Sequence, residues 1–268
     1  MVTQETEQGG GAASVRAAAR QLDRDRYLAA LLAPRRARDG LMALAAFHGE
    51  IARIPLTVRE SAIGDIRLQW WRDALLTPAG SATGNPIADA MRATMREHAL
   101  PSEMLIKIID AYADMLEAGT TTTTAAIEAH IEATQGTVFR AAAQILGSTG
   151  AAPVASLLAA AAQCYGRAQL LCVLPLLVSK GRNPFGDADM AASVQPLLTQ
   201  AKAELVKARQ LATAAPATIL PAILPLALVE PYLAALEGVG SHVADQRAEI
   251  SPLMRIWRLL KASALGRV

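Results

Sequence analysis

Cysteines and aromatic residues are scarce in this sequence of 268 residues. Phe, Trp and Tyr together make up only 4% of the chain, and its two cysteines, Cys164 and Cys172, lie in one apolar stretch. Two thiols at this spacing provide neither a disulfide framework nor a zinc-binding pattern. We therefore interpret both cysteines as buried thiols of a protein from a reducing, cytoplasmic environment.

An excess of charge of either sign is also absent. The net charge is +2 at pH 7, which is too small to indicate a nucleic-acid partner, so we expect none. Residues 1–14 are polar and rich in glycine and contain no apolar signal core. We predict a disordered leader over these residues.

An uninterrupted membrane-spanning run is not found either. Residues 211–236 are long and apolar enough to be considered for one, but Glu230 lies among them and four prolines interrupt them. These are Pro216, Pro221, Pro225 and Pro231. We predict buried helices here, no transmembrane span, and a cytoplasmic protein for which contact with the periphery of the inner membrane is the alternative.

Apolar segments of helical periodicity, rich in alanine, dominate what the sequence does contain. Apolar residues make up 52% of the chain, and no convincing alternating strand pattern occurs. Residues 15–268 are therefore predicted to form one all-α domain. The predicted helices cover residues 16–32, 38–54, 60–76, 87–98, 102–117, 125–146, 154–180, 191–214 and 253–265. Pro55 is expected to end the second helix, and Pro175 to end or kink the seventh.

The third predicted helix carries an apolar stripe at spacings of three and four residues. The stripe consists of Ile63, Ile66, Trp70 and Ala74. Of the adjacent indoles of Trp70 and Trp71, one is predicted to be partly exposed at a groove or a partner surface.

Residues 25–75 begin with Asp-Arg-Tyr-Leu and later contain Ala-Leu-Ala-Ala-Phe at residues 43–47. This pattern resembles the first helices of the squalene/phytoene synthase family, in which a similar run leads into an aspartate-rich motif. The resemblance covers most of residues 20–236 and implies a single-domain helical bundle of the isoprenoid synthase type. It also implies a Mg²⁺-dependent condensation of prenyl diphosphates, in which helix carboxylates four residues apart hold the metal.

The first aspartate motif of that family is missing from this chain. Its metal-binding aspartates fall at Ala52, Arg53 and Leu56, and none of these side chains can coordinate Mg²⁺. Arg53 even adds positive charge where a cation would bind. Glu50 is the nearest carboxylate, and it is displaced by about half a helical turn.

The second family motif matches only in part. The matching residues are Gly166, Ala168, Gln169, Leu170, Gly181 and Arg182. Apolar residues replace the aspartates and the asparagine of the motif, so this stretch cannot hold a metal diphosphate. The resemblance leaves Gln169 and Arg182 as candidates for substrate binding, and no catalytic residue is assigned.

Two other pairs of charged residues are candidates for a site. Asp110 and Asp114 lie four apart on one helix face and could form a residual Mg²⁺ site, although a solvated face or an ion pair is the alternative. Arg35 and Arg38 follow the first helix and could grip phosphate, although a solvated basic turn is the alternative. We expect no cofactor unless the chain is an enzyme, in which case the cofactor is Mg²⁺.

The histidines give no clear signal. His48 and Glu50 are two residues apart and point to different faces of a helix, so they do not form a ligand pair. His130 is interpreted as a packed core or surface residue.

Residues 50–71, with Glu-Ile-Ala-Arg at the start and Gln-Trp-Trp at the end, are more similar to a divergent branch of the family. This branch includes complex I assembly factors with a squalene/phytoene-synthase-like domain. The resemblance implies a non-catalytic assembly or interaction factor with a protein partner at the inner membrane. Two alternatives stay open. One is a divergent prenyl-diphosphate transferase of isoprenoid biosynthesis, and the other is a lipid-binding pseudoenzyme that holds a prenyl lipid in an apolar cavity.

Overall fold

The computed structural model describes residues 2–78, 80–117, 123–148, 150–185 and 190–268. These residues form α-helices joined by short 3₁₀ and π segments, and they contain no β-strand, so the predicted all-α class is confirmed. The helices are α1 (Val2–Leu22), α2 (Arg24–Leu31), α3 (Arg35–Thr57), α4 (Ser61–Leu76), α5 (Pro86–Glu97), α6 (Ser102–Glu117), α7 (Thr124–Ile131), α8 (Thr137–Ile145), α9 (Ala152–Ser179), α10 (Met190–Ala212), α11 (Leu220–Ile223), α12 (Val229–Val239) and α13 (Pro252–Leu265).

Helix α3 lies at the centre of the first half of the chain, and α9 has the same role in the second half. α3 contacts α1, α2, α5, α6 and α8, whereas α9 packs along α10 and also against the π segment and α12. Small residues allow these close contacts, because Ala45 and Ala46 are fully buried in α3 beside Phe47. At Gly49, a Cβ atom would lie 2.5 Å from the Cβ of Leu22, so only glycine allows α1 to approach α3 there.

The start of the chain differs from the sequence prediction. The single helix expected over residues 16–32 is divided at Asp23, whose side chain accepts a hydrogen bond from the Arg26 backbone N–H at 3.2 Å and so caps α2. Helix α1 also begins at Val2, inside the residues predicted to be disordered, and the alanines that follow favour helix propagation.

Among the described residues, Pro55 lies inside α3, Pro175 inside α9 and Pro196 inside α10. α3 continues through Pro55 to Thr57, so the prediction that this proline ends the helix is wrong, and α9 continues through Pro175 to Ser179. Each of these two prolines lacks the N–H that would bond the carbonyl four residues earlier, yet α3 continues for two residues past Pro55 and α9 for four past Pro175.

The helix expected over residues 125–146 is interrupted by a π segment, Glu132–Gly136. A Cβ atom at Gly136 would lie 2.7 Å from the Glu132 carboxylate, which would have to move to make room for it. The wider turn orients Gln135 towards the interior, where its side chain is buried. π segments of this kind are often found at functional sites.

The stripe predicted on the third helix is largely a surface feature. In α4, Ile63, Ile66 and Trp70 are exposed, and Ile66 retains 71% of its accessible surface. Trp71 is buried and packs edge-to-face on Phe47, with ring centroids 5.5 Å apart. One of the two adjacent indoles is therefore exposed.

Within the part of the chain that the structure describes, two segments are long and apolar enough to cross a membrane, by length and composition only. They are Ala152–Ser179 and Ala217–His242, and 78% and 72% of their most apolar windows are buried inside the protein. The core helices of soluble proteins have the same properties, so these segments are weak evidence for a membrane span.

Candidate functional site

A cavity of about 610 Å³ lies between α2, α3, the π segment and α9. One part of its wall is apolar and includes Leu56, Val173 and Leu176. The other part carries two buried polar clusters, which are centred on two aspartates at the start of α2. The polar residues are Asp23, Arg26, His48, Tyr112 and Gln135 in the first cluster, and Asp25, Tyr165, Tyr232 and Arg255 in the second.

The first cluster contains a closed ring of hydrogen bonds between four side chains. Arg26 donates to the Asp23 carboxylate at 2.9 Å and to Gln135 Oε1 at 2.6 Å. The Gln135 amide nitrogen lies 3.3 Å from His48 Nε2, and His48 Nδ1 lies 3.0 Å from Asp23 Oδ2, which completes the ring. The Arg26 guanidinium also lies over the ring of Phe139 at 5.1 Å.

The surroundings of Asp23 and His48 determine which of these two side chains is charged. Burial opposes the charged form of Asp23, but Arg26 and the hydrogen bond from His48 outweigh it, and the pKa of this carboxyl lies well below its usual range. Burial lowers the pKa of His48 in spite of the neighbouring Asp23. A neutral imidazole then donates from Nδ1 to Asp23 and accepts at Nε2 from the Gln135 amide.

The second cluster is centred on Asp25. Tyr165 and Tyr232 donate their hydroxyl protons to Asp25 Oδ2 at 2.9 and 2.8 Å, and Arg255 Nε donates to Oδ1 at 2.7 Å. Burial raises the pKa of the Asp25 carboxyl, although Arg255 and the Tyr232 hydroxyl oppose this effect. Arg255 comes from α13, so this contact joins the start of the chain to its last helix.

Local sequence explains why the aspartates reach the interior. Asp23 is the N-cap of α2 and Asp25 lies in its first turn, where the free N–H groups and the positive end of the helix favour carboxylates. Gly166 lets α9 approach the π segment, because a Cβ atom there would lie 2.4 Å from Ile131 Cγ2 and 3.2 Å from Gln135 Cγ.

The family model of squalene/phytoene synthase matches residues 19–172, which is more than half of the chain. The chain belongs to the squalene/phytoene synthase family. Two solved structures are similar to this chain in fold. A squalene synthase HpnC from Alicyclobacillus acidocaldarius superposes with a TM-score of 0.69 at 19% identity, covering 88% of this chain and 96% of that one. A dehydrosqualene synthase in complex with ligand superposes with a TM-score of 0.74 at 13% identity, covering 97% of this chain and 98% of that one.

Curated relatives carry a different name. The protein named NADH dehydrogenase (ubiquinone) complex I, assembly factor 6, from Mus musculus is 26% identical over 89% of this chain and 80% of its own length. The rat protein of the same name matches to the same extent. The Bos taurus protein is 31% identical over 48% of this chain and 39% of its own length.

The two segments that carry the metal motifs in the family line this cavity from opposite sides. Ala52, Arg53 and Leu56 of α3 occupy the first motif, and Val173 and Leu176 are among the residues of α9 that occupy the second. In the described residues, no group of three or more His, Cys, Asp or Glu side chains lies close enough to hold a metal ion.

The carboxylates that reach the cavity lie beside cations. Glu249, which is exposed at the cavity, lies 3.8 Å from Arg247. Asp23 is held by Arg26 and His48, and Asp25 by Arg255, so protein cations occupy the position that a metal ion would need. Arg53 forms an exposed ion pair with Glu50 at 3.0 Å. This set of side chains does not fit the Mg²⁺ that the family implies.

The predicted metal residues lie away from these clusters. The Asp110 carboxylate pairs with Arg72 at 2.7 Å and is half exposed. Asp114 lines a second cavity of about 670 Å³, which shares His130 and Leu170 with the first. The ion pair matches the alternative interpretation of Asp110, and a Mg²⁺ site at these residues stays a prediction.

The predicted substrate-binding residues are dispersed. Arg35 is exposed at the start of α3, and Arg38 Nε donates to the Ala33 carbonyl at 2.8 Å. Arg182 donates to the carbonyls of Pro55 at 3.1 Å and Val58 at 2.8 Å, although it also lines the second cavity. The structure does not bring these three arginines together.

Gln169 is the predicted residue that lines the first cavity. Its Nε2 atom is buried and has no hydrogen-bond partner within the described part of the chain. An unpaired buried donor is costly, and substrate binding by Gln169 stays a prediction.

The two polar clusters were missed by sequence reasoning. Asp23, Asp25 and Arg26 fall in a run of alternating charges that resembles an ordinary solvated helix start. Nothing in the sequence links them to Gln135, Tyr232 or Arg255. The one available signal was the placement of aspartates at an N-cap and first turn that face an apolar segment.

Proposed function

We propose that this chain is a non-catalytic assembly or interaction factor that acts in the assembly of respiratory complex I. The relatives named complex I assembly factor 6 support this, because the rodent proteins align over 89% of the chain at 26% identity.

The observation that carries the proposal is the composition of the cavity walls. Ionising a prenyl diphosphate requires that the leaving group be neutralised by metal ions, each worth several kcal/mol of transition-state stabilisation. Ala52 and Leu56 offer no ligand on one wall, and Val173 and Leu176 offer none on the other. Arg53 would repel the cation.

The buried polar clusters are better suited to holding helices than to chemistry. Every carboxylate oxygen of Asp23 and Asp25 accepts a hydrogen bond from α2, α3, α9, α12 or α13. A fully satisfied buried network of this kind makes the interior rigid and defines how the helices meet.

The test is a deletion of the gene in the source organism, followed by complementation. We expect the membranes to lose NADH:quinone oxidoreductase activity and native gels to lose the full-size complex, and wild-type protein to restore both. The double variant Asp110→Asn, Asp114→Asn should restore them equally, because these carboxylates have no role in an assembly function. Normal complex I in the deletion strain would contradict the proposal.

A second candidate function is the binding of a prenyl lipid without turnover. The specific observation in its favour is the unpaired Nε2 atom of Gln169, whose side chain lines a cavity that also has apolar wall residues such as Leu56, Val173 and Leu176. Calorimetric titration with farnesyl and geranylgeranyl diphosphate, with and without Mg²⁺, tests it. Binding that needs no Mg²⁺, yields no product and weakens in Gln169→Leu would support a lipid-binding protein.

The same titration tests the prenyl-diphosphate transferase alternative. Mg²⁺-dependent binding with product formation, abolished in the Asp110→Asn, Asp114→Asn variant, would establish that alternative and overturn the non-catalytic proposal. The expected result is no product with either substrate.

The site of action that we propose is the cytoplasmic surface of the inner membrane, where the protein would meet its protein partner. Fractionation of the source cells tests this. We expect the chain in the membrane fraction, released by high salt or carbonate rather than by detergent.

A further inference from the structure

Helix α13 presents an apolar stripe to the outside of the molecule. Leu253, Trp257, Leu260 and Ala264 are spaced four, three and four residues apart and therefore lie on one face of the helix. Leu253 retains 80% of its accessible surface, Trp257 54% and Leu260 51%. In an ordinary surface helix such residues face the core, and here they face away from it.

The orientation of α13 is fixed by its opposite face. Leu259 and Ala262 are buried, and the helix packs on α2 and on the 3₁₀ segment Leu224–Leu228. Arg255 projects from that side into the cavity, where it binds Asp25 at 2.7 Å. The buried side of α13 is thus occupied by core contacts and a buried ion pair, so the exposed stripe is held outward.

Positive charge lies beside the stripe. α13 contains no acidic residue, and of its cations Arg255 pairs with Asp25 and Arg258 with Glu230. Lys261, together with Arg267 just after the helix, therefore supplies the positive charge beside the stripe. The Lys261 ammonium lies 5.0 Å from the centroid of the Trp257 ring, and the Arg258 guanidinium lies 5.9 Å from it. An indole ring is apolar on its faces and polar at its N–H, so it suits the headgroup level of a bilayer. An exposed indole with cations beside it is the arrangement expected there.

We propose that the exposed face of α13 binds the surface of a membrane that contains anionic lipids. A single convex helix suits a bilayer surface better than a protein groove, and its cations match the negative charge of the lipid headgroups. The proposal goes beyond the assembly function and is independent of it, because it concerns lipid alone. It also gives a physical basis for the peripheral location that we propose above.

Vesicle flotation of the full chain tests the proposal. We expect binding to vesicles of phosphatidylcholine mixed with an equal part of phosphatidylglycerol, weak binding to phosphatidylcholine alone, and loss of binding as salt is raised. The double variant Leu253→Gln, Trp257→Gln should bind at least about tenfold more weakly, because two large apolar side chains no longer enter the interface. Lys261→Glu should weaken binding to the anionic vesicles selectively.

A matched control is Ile66→Gln, which removes an equally exposed apolar side chain from α4. This variant should bind the vesicles like wild type. All substituted side chains are exposed, so circular dichroism and thermal unfolding should be unchanged and a loss of binding would not reflect misfolding.

Three outcomes would overturn the proposal. They are failure of the wild-type chain to float with anionic vesicles, undiminished binding by the Leu253→Gln, Trp257→Gln variant, and an equal loss in Ile66→Gln. Binding of a purified complex I subassembly through α13 in lipid-free detergent would reassign the stripe to a protein partner. A chain that floats but fails to complement the deletion strain would refute the assembly function and leave the lipid proposal intact.

Discussion

Arg255 donates a hydrogen bond from Nε to the Asp25 carboxylate at 2.7 Å, although the two residues are 230 positions apart in the chain. Asp25 lies in the first turn of α2, and Arg255 lies in the second turn of α13. This ion pair closes the cavity from the side of the last helix and fixes the orientation of the exposed stripe on α13. It therefore connects the interior of the protein with the surface that we propose for lipid binding.

Arg255→Met should destabilise the protein by about 3 kcal/mol, because it leaves the Asp25 carboxylate buried without its cation. The double variant Asp25→Asn, Arg255→Met removes both charges and should recover a large part of this loss. Urea unfolding measures both. The matched control is Arg258→Met, which breaks a partly exposed pair with Glu230 and should cost less than about 1 kcal/mol.

This interpretation would be contradicted if the loss of stability in the double variant equalled the sum of the losses in Asp25→Asn and Arg255→Met. That result would mean that Asp25 and Arg255 do not act as a pair, and that Tyr165 and Tyr232 alone satisfy the carboxylate.

His48 should make the stability of the protein depend on pH. Burial lowers the pKa of His48 in the folded protein below the value of about 6.5 that it has when unfolded. Below that pH the unfolded chain binds a proton that the folded chain does not, so the free energy of unfolding should fall as the pH is lowered from 7 to 5, with a slope of at most about 1.4 kcal/mol per pH unit. Above pH 7 this contribution is complete.

Thermal unfolding at a series of pH values measures this slope. His48→Asn should reduce it at the expense of overall stability, because the ring of hydrogen bonds through Asp23 and Gln135 is broken. The exposed His242→Asn is the control and should keep the wild-type slope. The Asp23 carboxyl contributes in a more acidic range, since its lowered pKa gives stability that is present above pH about 4 and is lost on further acidification. An unchanged slope in His48→Asn would show that other groups cause it.

Most of the fold could be predicted from the sequence because the patterns that indicate helices are local. Proline and glycine positions and the period of the apolar residues predicted most helices, including α6 from its start at Ser102 to its end at Glu117. Pro55 misled the prediction because it is buried in α3, and this tertiary packing is not visible in the local sequence. Ala52 and Leu56, at positions of the first family motif, and Gln169, in the second, line one cavity.

The polar clusters could not be predicted from the sequence because the residues that form each cluster are distant from one another in the chain. His48 was judged by its neighbour Glu50, yet its contacts are Asp23, 25 positions away, and Gln135, 87 positions away. The π segment that orients Gln135 depends on the close approach of α9 at Gly166, which is a tertiary effect. The exposure of the α4 stripe could not be predicted for a related reason, since periodicity shows that residues share a helix face but not what covers that face.

Gly49→Ala should destabilise the protein by about 1–3 kcal/mol, because the added Cβ atom would lie 2.5 Å from Leu22 Cβ and 3.2 Å from the Leu22 carbonyl carbon. Backbone must move to relieve this contact, and α1 would shift away from α3. Gly238→Ala in α12 is the matched control. Nothing lies within 4 Å of a Cβ atom at that position, so alanine should stabilise the helix by up to about 1 kcal/mol. Chemical denaturation measures the free energy of unfolding of both variants. A change in the same direction in both would contradict the packing argument.

The two cysteines should be unreactive in the folded protein. Burial raises the pKa of both the Cys164 and the Cys172 thiols to about 12, so almost no thiolate is present near pH 8. Labelling with a thiol reagent should therefore proceed only as fast as the protein opens, and it should become complete within minutes once urea unfolds the chain. Since α9 carries both thiols and forms a wall of the cavity, Gly166→Ala should increase labelling of the native protein by displacing α9 from the π segment. Rapid labelling of the wild-type protein without denaturant would mean that α9 is not the stable core helix that its burial indicates.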